Sequence, residues 1–90
     1  MKVLKIGAIW CNTCNVMRPR WKELEAQNPE LKTEYYEYDD NPELMQKLKI
    51  SEELVPVFIF MGNDGKELDR VAGEVDKDKL QSLIDKYISK

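Results

Sequence analysis

Two cysteines separated by two residues stand where an apolar, strand-like run gives way to a segment of helical periodicity, in the stretch Ile9-Trp10-Cys11-Asn12-Thr13-Cys14. A cysteine at the first turn of a helix meets unpaired backbone N–H groups and the positive end of the helix dipole, and both favour a negatively charged sulfur. Cys11 is therefore the expected nucleophile. Three residues on, Cys14 falls on the same helix face, within reach of a mixed disulfide formed at Cys11, and is the expected resolving thiol. A structural bridge closing so short a loop would add little stability, because in the chain-entropy account that contribution grows with loop length. Two cysteines also make no disulfide framework. The pair reads as chemistry, a dithiol that exchanges two electrons with a disulfide.

Ninety residues at 42% hydrophobic content suffice for one compact domain spanning 1–90 and leave little material for a second. The net charge is −3, and Lys and Arg are scattered among carboxylates with no basic block, which argues against a nucleic-acid partner. No apolar run approaches the roughly 20 residues that cross a bilayer. The start Met1–Ile9 resembles a charged, apolar leader only superficially, since Lys5 interrupts it and the cysteine motif follows at once. A cytoplasmic location is the simpler expectation.

Taken in order, residues 2–9 alternate as a strand, with Leu4, Ile6 and Ala8 on one face and Val3, Lys5 and Gly7 on the other. Lys5 is the anomaly: inside a sheet its ammonium must snorkel to water, find a carboxylate or lose its proton more easily. From Cys11 to about Gln27, Cys14, Met17, Trp21 and Leu24 recur at helical spacing, and Pro19 within that pattern predicts a kink near residues 15–19. Residues 32–38 alternate as a strand whose tyrosines, Tyr35, Tyr36 and Tyr38, read as packing residues. Asp39-Asp40 reads as a solvated turn, and Asn41-Pro42 as the cap and first residue of a helix that buries Leu44, Met45 and Leu48. The most hydrophobic run, Val55–Met61, predicts a central strand that tolerates Pro56 only at its start. Gly62–Lys66 turns the chain into an antiparallel strand over 67–72, which Gly73 ends. The last helix buries Leu80, Leu83, Ile84, Tyr87 and Ile88, with Asp76 as N-cap and Val75 and Leu80 as a hydrophobic staple. The resulting order is β-α-β-α-β-β-α, a βαβ unit followed by a helix, a hairpin and a closing helix.

Trp10-Cys11-Asn12-Thr13-Cys14, Pro19, Val55-Pro56 and Gly73 ahead of a terminal helix together resemble the thioredoxin family, in the family's order and over nearly the whole chain. The resemblance implies an α/β, thioredoxin-like fold: a four-stranded mixed sheet of strand order 2-1-3-4 flanked by three helices. It implies a cis peptide at Pro56 that faces the cysteine pair and, with the backbone of Val55, forms a platform for substrate main chain. Trp10 would border the nucleophile, and Gly73 would keep the opposite wall of the groove open. The implied activity is protein thiol–disulfide oxidoreduction by a monomer, with protein disulfides as substrates and a separate reductant or reductase as electron source. No cofactor beyond the redox-active Cys11–Cys14 disulfide, no metal, no nucleic acid and no membrane is implied.

Three departures from the family's pattern bear on mechanism. The usual first strand and helix are missing, as in a minimal version of the fold. Lys5 stands where the family keeps a buried aspartate beneath the cysteines, and Tyr35 where it has that aspartate's lysine partner, so the general base is not carried over. Thr13 replaces the usual proline between the cysteines. Lys5, Asn12 and Thr13 are thus candidate redox-tuning residues, a lysine ammonium beneath the motif favouring thiolate and a more oxidising pair. Two other readings compete: a redox-idle binding module that docks extended peptide through Trp10 and Val55-Pro56, and a metal site. One CxxC supplies two soft ligands where closed zinc sites use four, so the metal reading requires two chains to pool their motifs.

Overall fold

In the computed structural model, which describes residues 1–90, β1 (Lys2–Gly7) is an interior strand that buries Val3 on one face and Leu4 and Ile6 on the other. It pairs in parallel with β2 (Lys32–Glu37) and antiparallel with β3 (Val57–Met61), and β3 pairs antiparallel with β4 (Glu67–Ala72). The result is a four-stranded mixed sheet of order β2-β1-β3-β4. A parallel pair needs a crossover, and α1 (Asn12–Gln27) supplies it. The β3–β4 hairpin closes at Gly62–Lys66, where the Gly62 N–H donates to the Lys66 carbonyl (2.8 Å) and Gly65 takes a φ of +83° that glycine adopts without strain. The helices α2 (Pro42–Leu48) and α3 (Lys77–Tyr87) complete the fold, with short 3₁₀ turns at Tyr38–Asp40 and Glu52–Leu54.

Period-two burial on the strands and period-3.6 burial on the helices produce two apolar layers. On one face Met17, Trp21 and Leu24 of α1 and Leu80, Leu83 and Ile84 of α3 pack against Val3, Phe58 and Phe60. On the other, Met45 of α2 and Ile50 cover Leu4, Ile6, Val57 and Ile59, with Leu44 and Leu48 packed at the margin. Each such side chain contributes about 1.5–3 kcal/mol relative to exposure. No helix is long and apolar enough to cross a membrane.

The elements fall where the hydrophobic periods put them, and their ends shift for local reasons. β1 stops at Gly7 rather than at residue 9, because the Cys11 N–H turns back to the Ala8 carbonyl (3.2 Å) and leaves Ile9 exposed. β2 stops at Glu37, and Tyr38 opens a 3₁₀ turn. β3 begins at Val57, after the Val55–Pro56 step. Asn41 precedes α2 as expected, but its side-chain amide donates to the Glu37 carbonyl (2.9 Å) instead of capping the helix. Asp76 likewise flanks α3 without a side-chain cap, while Val75 packs on the cluster that holds Leu80. α1 continues through Pro19.

Candidate active site

The chain leaves β1 at Gly7, turns through Ala8–Cys11 and enters α1 with Cys11 in extended conformation (φ −95°, ψ 115°) as its N-cap. The Cys11 Sγ accepts the Cys14 backbone N–H at 3.1 Å, taking the place that a serine or aspartate oxygen fills in most caps. Such a contact strengthens when the acceptor carries charge. Both cysteines are free thiols, 7% and 4% exposed. Burial, helped by the hydrogen bond with Cys11, pushes the Cys14 thiol up to about 11. Cys14 therefore keeps its proton at neutral pH.

Across from the pair, the Val55–Pro56 peptide is cis, and the Val55 carbonyl lies 3.9 Å from the Cys11 Sγ. The Gly73 N–H donates to the Pro56 carbonyl (2.8 Å), tying the end of β4 to this loop. A Cβ on Gly73 would meet nothing within 4 Å, so the wall there is open, and glycine is called for by its φ of +80°. Trp10 is 46% exposed at the rim, held by its indole N–H donating to Asp39 Oδ2 (2.8 Å) and by an edge-on contact with Tyr38 (6.3 Å between centroids). Exposed apolar side chains precede each half of the site, Ile9 with Trp10 before Cys11 and Leu54 before Val55.

Of the candidate tuning residues, Asn12 is exposed and Thr13 half-buried on the first turn of α1. Lys5 faces α1, where its Nζ donates to Glu25 Oε2 at 2.6 Å, so of the three outcomes open to this lysine the fold takes the carboxylate. Lys5 also lines a cavity beside Cys14 together with Tyr35, Arg18, Trp21 and Pro56. Tyr35, read from sequence as packing, thus belongs to the site, and Asp39, read as part of a solvated turn, holds Trp10. The signal for Tyr35 was its phase: in the β1–β2 register it is the partner of Lys5. No group of three or more His, Cys, Asp or Glu side chains is arranged to hold a metal ion.

A mixed sheet with a Cys-x-x-Cys pair capping the first helix opposite a buried proline defines a dithiol protein of thioredoxin-like fold. Comparison with known proteins narrows this. The sequence profile described as "Thioredoxin" matches residues 1–87. The chain is 35% identical over 80 residues to a thioredoxin of Chlamydia caviae, an alignment covering 89% of this chain and 76% of that one. Among solved structures it resembles the thioredoxin NaTrxh from Nicotiana alata (TM-score 0.85, 27% identity, 96% of this chain and 71% of that one). It also resembles the thioredoxin of Fasciola hepatica (TM-score 0.84, 30% identity, 96% and 79%). The chain belongs to the thioredoxin family, and its general chemistry is thiol–disulfide oxidoreduction.

Proposed function

We propose that the protein exchanges its Cys11–Cys14 dithiol with disulfides of other proteins, Cys11 forming the mixed disulfide and Cys14 resolving it. The Cys11 thiolate attacks one sulfur of the partner's disulfide, and the other sulfur leaves as a thiolate. Cys14 then gives up its proton and attacks the Cys11 sulfur. The Cys11–Cys14 bond forms, the bond to the partner breaks, and the partner departs with two electrons more than it brought. The observation that carries this reading is the asymmetry of the pair. Cys11 sits at the helix N-terminus with the Cys14 N–H aimed at its sulfur, while burial keeps Cys14 protonated. The Val55 carbonyl beside the Cys11 Sγ and the exposed Trp10 suit an extended peptide, whose main-chain N–H has an acceptor there. The test is reduction of insulin by dithiothreitol: the protein should accelerate precipitation of the freed chain well above dithiothreitol alone. No acceleration would leave the redox-idle binding module.

Lys5, Asn12 and Thr13 are the residues proposed to set the potential. Lys5 lines the cavity beside Cys14, so removing its ammonium withdraws positive charge from beside the thiols and disfavours the thiolate, and with it the reduced form. Lys5→Met should therefore lower the potential, by about 30 mV if the lost interaction is on the order of 1.4 kcal/mol. Redox titration against glutathione reads it, and an unchanged or higher potential removes Lys5 from this role.

A further inference from the structure

Resolution requires Cys14 to lose its proton, and the site described so far names no group to take it. The cavity beside Cys14 measures about 80 Å³, several times the roughly 10–15 Å³ that one water requires. Trp21, one of its lining residues, has a fully buried indole N–H with no acceptor in the protein. A buried donor of that kind calls for a polar occupant. Besides the Cys14 thiol, the lining carries two cations, Lys5 and Arg18, no carboxylate, and one hydroxyl, that of Tyr35.

The hydroxyl is well placed. The Tyr35 Oη and the Cys14 Sγ lie 2.9 and 3.4 Å from the same point, the position a Cβ on Gly7 would occupy. Because Gly7 has no side chain, nothing of its own stands between them. The Tyr35 hydroxyl donates to Glu37 Oε1 at 2.9 Å, and Glu37 Oε2 accepts the Ile9 N–H at 3.0 Å, which fixes the carboxylate beside the loop that leads into Cys11. Tyr35 and Glu37 are two residues apart on one face of β2, the face that the register aligns with Lys5 and Gly7.

The geometry points to a proton path from Cys14 through one cavity water to the Tyr35 hydroxyl and on to the Glu37 carboxylate. It rests on the resolving role proposed for Cys14 and supplies that step. As the Cys14 sulfur bonds to Cys11 and the partner leaves with the electron pair of the broken S–S bond, the Cys14 proton passes to the water. The water hands one to the Tyr35 oxygen, and Tyr35 hands its own to Glu37, which exchanges with solvent. Burial and the bond to Glu37 hold the Tyr35 phenol above its usual range, so the tyrosine relays without ionising. The other charged groups around the path are Arg18, which favours negative charge on Cys14 and on Tyr35, and Lys5, whose charge is taken up by Glu25.

Stopped-flow reaction of the reduced protein with an aromatic disulfide whose thiolate product is coloured separates the two steps. A first phase reports mixed-disulfide formation at Cys11, and a second reports closure by Cys14. Tyr35→Phe and Glu37→Gln should each slow the second phase about 10²-fold at neutral pH, the lower end of what a positioned proton acceptor contributes, and leave the first phase alone. The deficit should vanish as pH nears about 11, where Cys14 ionises unaided. Gln at position 37 retains an acceptor for the Ile9 N–H, so a merely structural effect would slow both phases or persist at high pH, and either result overturns the path. So does a wild-type second phase in both variants, slowing in Tyr35→Phe alone, or slowing in Glu25→Gln in place of Glu37→Gln. A wild-type protein that shows neither phase defeats the oxidoreductase reading itself.

Discussion

Replacing Cys14 with serine should convert the protein from a turnover catalyst into a covalent trap. The variant keeps everything Cys11 uses for attack: the helix N-terminus, the extended cap conformation, and the N–H at residue 14, which belongs to the backbone and still donates to the Cys11 sulfur. It loses the only sulfur able to reach the mixed disulfide. A serine hydroxyl is a far weaker nucleophile toward sulfur and forms no stable bond to it, so the adduct persists until an external thiol cleaves it. Insulin reduction should fall to the rate of dithiothreitol alone. Non-reducing gels of the variant incubated with a disulfide-containing protein should show one partner per chain, removed by excess reductant. Cys11→Ser should form no adduct near neutral pH, because the remaining thiol is buried and held up to about 11. Adducts on Cys11→Ser and none on Cys14→Ser would exchange the two roles.

The order of elements and the cysteine pair were legible in the sequence because both are written locally. A period of two over Val3–Ile6, a period of 3.6 over Leu80–Ile84 and a Cys-x-x-Cys at a strand–helix junction need no knowledge of distant residues. The same holds for the hairpin turn, where Gly65 is placed by its own backbone conformation. What could not be read was whatever depends on partners far along the chain. Lys5 meets Glu25, Trp10 meets Asp39, and Tyr35 meets the surroundings of Cys14, each contact spanning 20 residues or more. By its pattern alone Tyr35 reads as packing, because tyrosines at period two are what a half-buried strand contains, and the family resemblance set it opposite Lys5 without giving it a role. Only the parallel register that pairs it with Lys5 and sets Glu37 beside Gly7 turns it toward the thiols. Side-chain capping failed for a different, local reason. Asn41 has the right residue type at the right place, yet its amide N–H donates to a carbonyl four residues back, and its Oδ1 makes no cap to the helix.

That division between local pattern and distant contact also says where the fold should be most vulnerable. Phe60 is fully buried on β3, its ring 6.5 Å from that of Trp21 on α1 and 6.1 Å from that of Tyr87 on α3. It thereby joins both helices to the sheet. Truncation to alanine removes the ring and leaves a cavity that two helices and a strand must collapse to fill, at a cost of about 3–5 kcal/mol. A domain of this size holds about 5–15 kcal/mol in total. Phe60→Ala should therefore forfeit about a fifth or more of the stability and lower the melting temperature by more than about 12 °C. Tyr35→Phe, at a ring 48% exposed, should stay within about 0.5 kcal/mol of the wild type, so its slowed resolution is not a consequence of unfolding. Urea denaturation of the reduced proteins measures both. Because β3 begins at Val57, directly after Pro56, the wall opposite Cys11 is anchored by the strand that Phe60 holds in place. Activity of Phe60→Ala should accordingly fall with its folded fraction as temperature rises, with the site intact in the molecules that remain folded. A Phe60→Ala protein within about 1 kcal/mol of the wild type would mean that the two helices are held to the sheet by contacts other than this aromatic cluster.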